Sequence, residues 1–208
     1  MLKMKTVIPM TVTTRNSPIN SVNRDVIRAA KEGNAQLLQS LLLHDSPAHI
    51  LVNALCYSAG NGHQDCCKVL LDKGANVNGV GLYGSTPLAT AAGALEVDIV
   101  IMLLQCGADV FARDEIGRTA LLTAVLNSGE LTLLRLILDA GADANMEDSR
   151  GLTPLWATLL ETGNPESMRL LLEYGADATK PYFGKTLLEI VRNKGLMEFE
   201  RVLVDFQK

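Results

Sequence analysis

The sequence predicts an all-α solenoid of helix-turn-helix units joined by β-hairpin-like turns, on three observations. The segment Gly74-Ala75-Asn76 returns as Gly107-Ala108-Asp109, Gly141-Ala142-Asp143 and Gly175-Ala176-Asp177, at intervals of 33, 34 and 34 residues. A second marker, Gly-x-Thr-x-Leu, keeps the same step from Gly84 to Gly117, Gly151 and Gly184. The hydrophobic share is 48% and the aromatic share only 4%, so the core must come from Leu, Ala, Val and Ile, a mix suited to closely packed helices. Two independent markers in phase over four units identify tandem units that bury their apolar sides on one another.

Residues 1–23, rich in Thr, Asn and Pro, are expected to form a disordered or extended arm. The repeat domain is expected over 24–208, in units of about 24–49, 50–80, 81–113, 114–147, 148–181 and 182–208. The first unit carries Ala29-Ala30, Gly33 and the run Leu41 to Leu43. In the clearer units Thr86 and Thr153 are placed to cap a helix N-terminus, and Pro87 and Pro154 follow in the first turn, where a missing N–H costs nothing. The short helix passes through small residues such as Ala91-Ala92, which let a neighbouring helix come close. A second helix ends in Leu70-Leu71, Leu103-Leu104, Ile137-Leu138 or Leu171-Leu172, and the glycine that follows each pair sits where a left-handed C-cap is expected. Asp114 and Asp148 then lie on an extended excursion into the next unit. Asp25, Arg28 and Glu32 at one end, and Glu189, Arg192 and Glu198 at the other, supply the polar faces that terminal repeats need.

Over about residues 24 to 204 these markers resemble the ankyrin repeat. The resemblance implies a β-turn and two antiparallel helices per unit, and protein–protein interaction as the function. The chain also departs from the family pattern. Cys56, Ala89, Leu122, Trp156 and Glu189 stand where the family usually has a His, so the hydrogen bond that this His makes is expected to be absent. The segment His44 to Val52 is too short for a full hairpin. Units four and five each gain one residue, near Ser128-Gly129 and Thr162-Gly163, and unit three carries Leu95 where a turn Gly is customary. Leu70 to Asn78 resembles the stretch that asparaginyl hydroxylases modify in such repeats, with Asn78 as acceptor; an ordinary turn Asn is the other reading.

A solenoid of this type resembles a cupped hand, with hairpin tips as fingers and first helices as palm. Exposed turns have no structural need for apolar and aromatic side chains. A partner-binding strip is therefore expected at Tyr83, Ile116, Arg118, Arg150, Leu152, Trp156 and Tyr182, with aromatics and arginines as anchors. The alternative is that tips stack on adjacent tips and that Trp156 fills the vacant His position.

Charge and cysteine usage narrow the function classes. Lys3, Lys5, Arg15 and Arg24 face no acid in residues 1–24, so the rest of the chain sums to −8 against −4 for the whole. Such an acidic body is a poor phosphate binder, and no nucleic acid is expected as partner. Cys56, Cys66, Cys67 and Cys106 lack the spacing of a disulfide framework and fit a reducing compartment, the cytoplasm and also the nucleus. No apolar run is long enough to span a membrane. Cys56, His63, Cys66 and Cys67 are of zinc-ligating types, but the cysteines fall among core positions of two helices, so no metal, cofactor or catalytic residue is expected. Gly79, Gly81 and Gly84 lack the Lys-Ser/Thr of a phosphate loop and read as turn glycines. The expected role is a monomeric scaffold, inhibitor or adaptor that binds another protein through hairpin tips and the concave helical face. The alternatives are a substrate-receptor arm of a larger ubiquitin-ligase or effector protein and, from another class, a thiol- or zinc-dependent enzyme centred on Cys56, Cys66 and Cys67.

Overall fold

The computed structural model of the chain describes residues 18–42, 46–81, 84–127 and 130–206. Most of the expected N-terminal arm lies outside them, as do Tyr83 and Ser128-Gly129. In the last four units the first helix starts where a threonine hydroxyl accepts a bond from the unpaired N–H groups of the opening turn. Thr86 accepts from Ala89 N–H at 3.2 Å and Thr153 from Trp156 N–H at 3.3 Å, with Pro87 and Pro154 just inside. Thr119 caps Leu122 without a proline, and Thr186 closes a full capping box with Glu189.

The described residues form twelve α-helices in six pairs. The first helices are α1 (Pro18–Glu32), α3 (Ala48–Gly60), α5 (Pro87–Gly93), α7 (Ala120–Asn127), α9 (Pro154–Ala157) and α11 (Leu187–Lys194). The second helices are α2 (Ala35–Leu41), α4 (Gln64–Asp72), α6 (Val97–Gln105), α8 (Leu131–Asp139), α10 (Pro165–Glu173) and α12 (Met197–Asp205). α1 packs on α3, α3 on α5 and α5 on α7, while α2 packs on α4 and α10 on both α8 and α12, so the two kinds of helix form two rows. Small residues set the spacing of the first row: Ala29, Ala59, Ala91, Ala92 and Ala124 are fully buried. A Cβ on Gly60 would lie 2.8 Å from Thr90 Cγ2, and one on Gly93 2.9 Å from Thr123 Cγ2, so these helices approach by lacking one atom. The second row buries Leu70, Leu103, Ile137 and Leu171 completely. Truncating any of these to Ala costs about 2–5 kcal/mol.

The expected left-handed glycines are in place, with Gly74, Gly107, Gly141 and Gly175 at φ 81, 84, 94 and 82. Leu95 adopts the glycine conformation as well as its position, at φ 64 beside 76 for Gly62 and 59 for Gly163. The extra residue of unit five becomes a π-helical turn, Thr158–Thr162, in which Gly163 N–H reaches the Thr158 carbonyl at 2.9 Å.

One expectation is corrected. α1 begins at Pro18, inside the stretch read as an arm, because a proline at the first helical position opens a helix. The short first junction is resolved by helix: α3 starts at Ala48 behind Pro47, and Leu51 and Val52 are buried in it. β pairing among the described residues is confined to one isolated bridge between Tyr182 and Lys185.

Candidate functional site

Between units the chain turns back through tips organised by a carboxylate. Asp114 Oδ1 accepts from the N–H groups of Ile116 at 3.0 Å and Arg118 at 2.8 Å, while Oδ2 accepts from Arg118 Nε at 2.8 Å. Asp148 repeats the pattern with the N–H groups of Arg150 and Leu152 at 2.8 and 3.0 Å, and with Arg150 Nε and Nη2 at 3.0 and 2.9 Å. Burial by itself raises the Asp148 carboxyl, but the bonds from Leu152 and Arg150 and the guanidinium charge outweigh it and hold the group below the usual carboxylate range. One oxygen thus shapes each turn, and the other holds an arginine in place. The tips also touch. Ser149 N–H donates to the Ile116 carbonyl at 2.9 Å, and a Cβ on Gly117 would lie 2.9 Å from Ser149.

Four residues of the expected strip reach the surface. Ile116 is 48% exposed, the Arg118 and Arg150 side chains are 35% and 63% exposed, and Tyr182 is half-buried. Leu152 and Trp156 are corrections: at 3% and 2% exposure they belong to the core. Leu152 is where the hairpin re-enters the helical rows, and its N–H is bound by Asp148. Trp156 packs inward from α9, donates Nε1–H to the Lys180 carbonyl at 2.9 Å, and lies 5.6 Å from the Tyr182 ring. That bond corrects a second expectation, since the vacant His position still carries a hydrogen bond in some units. Trp156 makes one there, and in unit two Cys56 Sγ donates to the Ser85 carbonyl at 3.7 Å. Tyr83 lies outside the described residues. Surface exposure and tip stacking, set as alternatives by the sequence, both occur.

A cleft of about 380 Å³ crosses the first-helix row over α3, α5 and α7. Asn53, Cys56 and Tyr57 line it from α3, Ala89, Thr90 and Gly93 from α5, and Thr123 and Asn127 from α7; Ser85 and Arg118 approach from the hairpins. The Thr90 and Thr123 hydroxyls donate to the Thr86 and Thr119 carbonyls, each at 2.9 Å, and Asn127 Nδ2 donates to the Thr123 carbonyl at 2.8 Å. Donors used within the helices leave acceptor lone pairs for a visitor, while Arg118 supplies donors. The sequence points to the concave helical face, but of this cleft's lining the expected strip holds only Arg118, because large residues drew the choice to the tips. The signal lay in register: Tyr57, Thr90 and Thr123 fall 33 residues apart at one position of helices otherwise filled by Ala and Leu.

Cys66 and Cys67 are buried, Cys56 is half-buried and Cys106 is exposed. Burial pushes the Cys56 thiol up to about 11 and that of Cys67 to about 12, with the nearness of Cys66 and Cys56 adding to the latter. Such thiols are protonated at neutral pH, whereas a nucleophile or ligand must be thiolate. Among the described residues no three His, Cys, Asp or Glu side chains are grouped to hold a metal, and no helix is long and apolar enough to cross a membrane. Asn78, the candidate hydroxylation acceptor, is exposed with its amide bonded to the next Gly-Ala-Asp turn.

Paired helices in two rows, a carboxylate-shaped tip between units and a 33-residue register set the terms of comparison. A family model described as ankyrin repeats (3 copies) matches residues 26–114, 99–182 and 121–199. The chain belongs to the ankyrin-repeat family. An ankyrin array is a protein-interaction module, and the family is in general non-enzymatic. Among curated proteins, the ankyrin repeats here are 36% identical over 74 residues to the ankyrin repeat and LEM domain-containing protein 1 homolog of Caenorhabditis elegans, covering 36% of this chain and 10% of that protein. They are 31% identical over 98 residues to the E3 ubiquitin-protein ligase XB3 of Oryza sativa subsp. japonica, covering 44% of this chain and 22% of that protein. The chain therefore spans from a tenth to about a fifth of the length of these relatives.

Proposed function

We propose that this ankyrin array binds a partner protein across the first-helix cleft and the adjoining tips, and acts inside the cell, in cytoplasm or nucleus, as a scaffold, inhibitor or adaptor. One observation carries the reading: small residues at Ala89 and Gly93 leave a cleft of about 380 Å³ that polar side chains line and that stands open among the described residues. Arg118, oriented by Asp114, is the anchor for a carboxylate or carbonyl of the partner, with Ile116 beside it for an apolar group. The test is site-specific photo-cross-linking of the full chain in its native cells. A cross-linker at Asn127 in the cleft should capture a partner that a cross-linker at Ile101, on α6, does not, and Arg118→Glu should abolish the capture without lowering the melting temperature. Equal capture from both positions would sink the reading.

A second reading, a substrate-receptor arm of a larger ubiquitin ligase, is supported by the likeness to a protein named as an E3 ligase. Capture of a protein that becomes ubiquitinated only when this chain is present supports that role. Capture with no change in ubiquitination removes it.

A further inference from the structure

The hairpin opening the last unit is built differently from those of units four and five. There, Asp114 and Asp148 donate their N–H groups to the carbonyls of Arg118 and Leu152, enclosing tips of three residues. Tyr182 and Lys185 instead exchange both backbone bonds, at 3.0 and 3.2 Å, across a tip of two residues, Phe183-Gly184. The shortening is visible in the interval from Gly151 to Gly184, which is 33 residues against 34 for Gly117 to Gly151. A two-residue tip follows the twist of its strands when both residues take positive φ, which is why Asn-Gly is the favoured pair. Here the first residue is a phenylalanine: Phe183 lies at φ 49 and Gly184 at φ 71.

A bulky side chain in the left-handed region is an outlier that needs a cause, as packing against the core is for Leu95. Burial is not the cause here. Phe183 is 83% exposed, more than any other large hydrophobic side chain among the described residues. It stands edge-on to the Tyr182 ring at 4.5 Å, and Tyr182 leans on the buried Trp156. The ring is thus held outward on a firm base.

We propose that Phe183 is a knob that enters an apolar pocket of a folded partner protein, a second contact apart from the first-helix cleft. The inference rests on the protein-binding reading above. Shape selects the occupant: a ring at the summit of a tight turn is convex, so its partner must be concave, which an extended peptide is not. Charge selects the rim. From Thr179 to Thr186 the hairpin carries Lys180 and Lys185 and no acid; Lys180 pairs with Glu147, while exposed Lys185 makes none of the ion pairs among the described residues, so a carboxylate on the pocket's rim should face Lys185.

The experiment uses the full chain with p-benzoylphenylalanine in place of Phe183, irradiated in its native cells, with the same group at exposed Leu160 as control. The captured protein is identified by mass spectrometry, produced separately, and its Kd measured against wild type, Phe183→Asn, Phe183→Trp and Arg118→Glu. Asn suits positive φ, so Phe183→Asn should melt at or above the wild-type temperature while weakening binding at least tenfold; Phe183→Trp should stay within threefold. No product beyond the Leu160 control, an unchanged Kd, or a lower melting temperature for Phe183→Asn overturns the proposal. So does a cross-linked second copy of this chain. Weakening by Arg118→Glu alone sinks the knob and leaves the cleft standing, whereas weakening by Phe183→Asn alone sinks the cleft and keeps the knob.

Discussion

Asn78 clasps Gly107 across a repeat boundary. Its Nδ2 donates to the Gly107 carbonyl at 3.0 Å, and its Oδ1 accepts from the Asp109 N–H at 2.8 Å. Two units further on, Asn145 makes the same pair with Gly175 and Asp177, at 2.9 and 2.7 Å. The corresponding residue between them is Phe111, half-exposed and unable to do either. Each clasp occupies carbonyl and amide groups left over at the end of a second helix, and so couples neighbouring units.

Removing a clasp should therefore destabilise the array. Asn78→Ala and Asn145→Ala are each expected to cost about 1–2 kcal/mol in urea unfolding, the net worth of two partly exposed hydrogen bonds. Phe111→Asn should supply the missing clasp at Gly141 and stabilise by up to about 1 kcal/mol. Wild-type stability in both Ala variants would show that the bonds are incidental.

The left-handed turn between paired helices gives a second expectation. Gly163, at φ 59, has no atom within 4 Å of where a Cβ would sit, so Gly163→Ala meets backbone strain alone and should lower stability by about 1 kcal/mol. Leu95→Gly relieves strain of about 1–2 kcal/mol but forfeits apolar packing and loosens the unfolded chain. Its net effect should stay within about 1 kcal/mol of zero. Thermal melts of the pair check this, and a large loss in Leu95→Gly with none in Gly163→Ala would contradict it.

Asp148 makes the array acid-sensitive. Its carboxyl is held below the ordinary value in the folded state, so as pH falls the unfolded chain takes up the proton first. The stabilisation is complete above the unfolded value and is lost as pH drops through the folded one. The stability difference between wild type and Asp148→Asn should be constant from neutral pH down to about 5 and shrink below about 4, near the free carboxyl value. Denaturant titrations at a series of pH values read this directly; a gap that persists unchanged at pH 3 would refute it.

Thiol reactivity should divide the four cysteines. Cys106 is exposed, whereas Cys66 and Cys67 are buried and burial raises the thiols of Cys56, Cys66 and Cys67. A native thiol titration at neutral pH is expected to show one fast group, abolished in Cys106→Ser, and three more after guanidinium unfolding. Rapid native reaction at Cys56 or Cys67 would revive the thiol-enzyme alternative.

What sequence alone determined about this protein is whatever local chemistry repeats at a set spacing. Thr86, Thr153 and Thr186 announce helix starts because a side-chain cap lies within three residues of what it caps. The Gly-Ala-Asp glycines announce helix ends because few other residues accept their φ, and even Leu95 was legible as the exception. The tertiary structure decided everything that depends on a neighbouring unit. Leu152 and Trp156 carry the same apolar character as an exposed anchor, and only the approach of adjacent helices and of Lys180 buries them. The cleft over Thr90 and Thr123 exists because three helices leave space between small side chains, a property of their separation that no single unit contains.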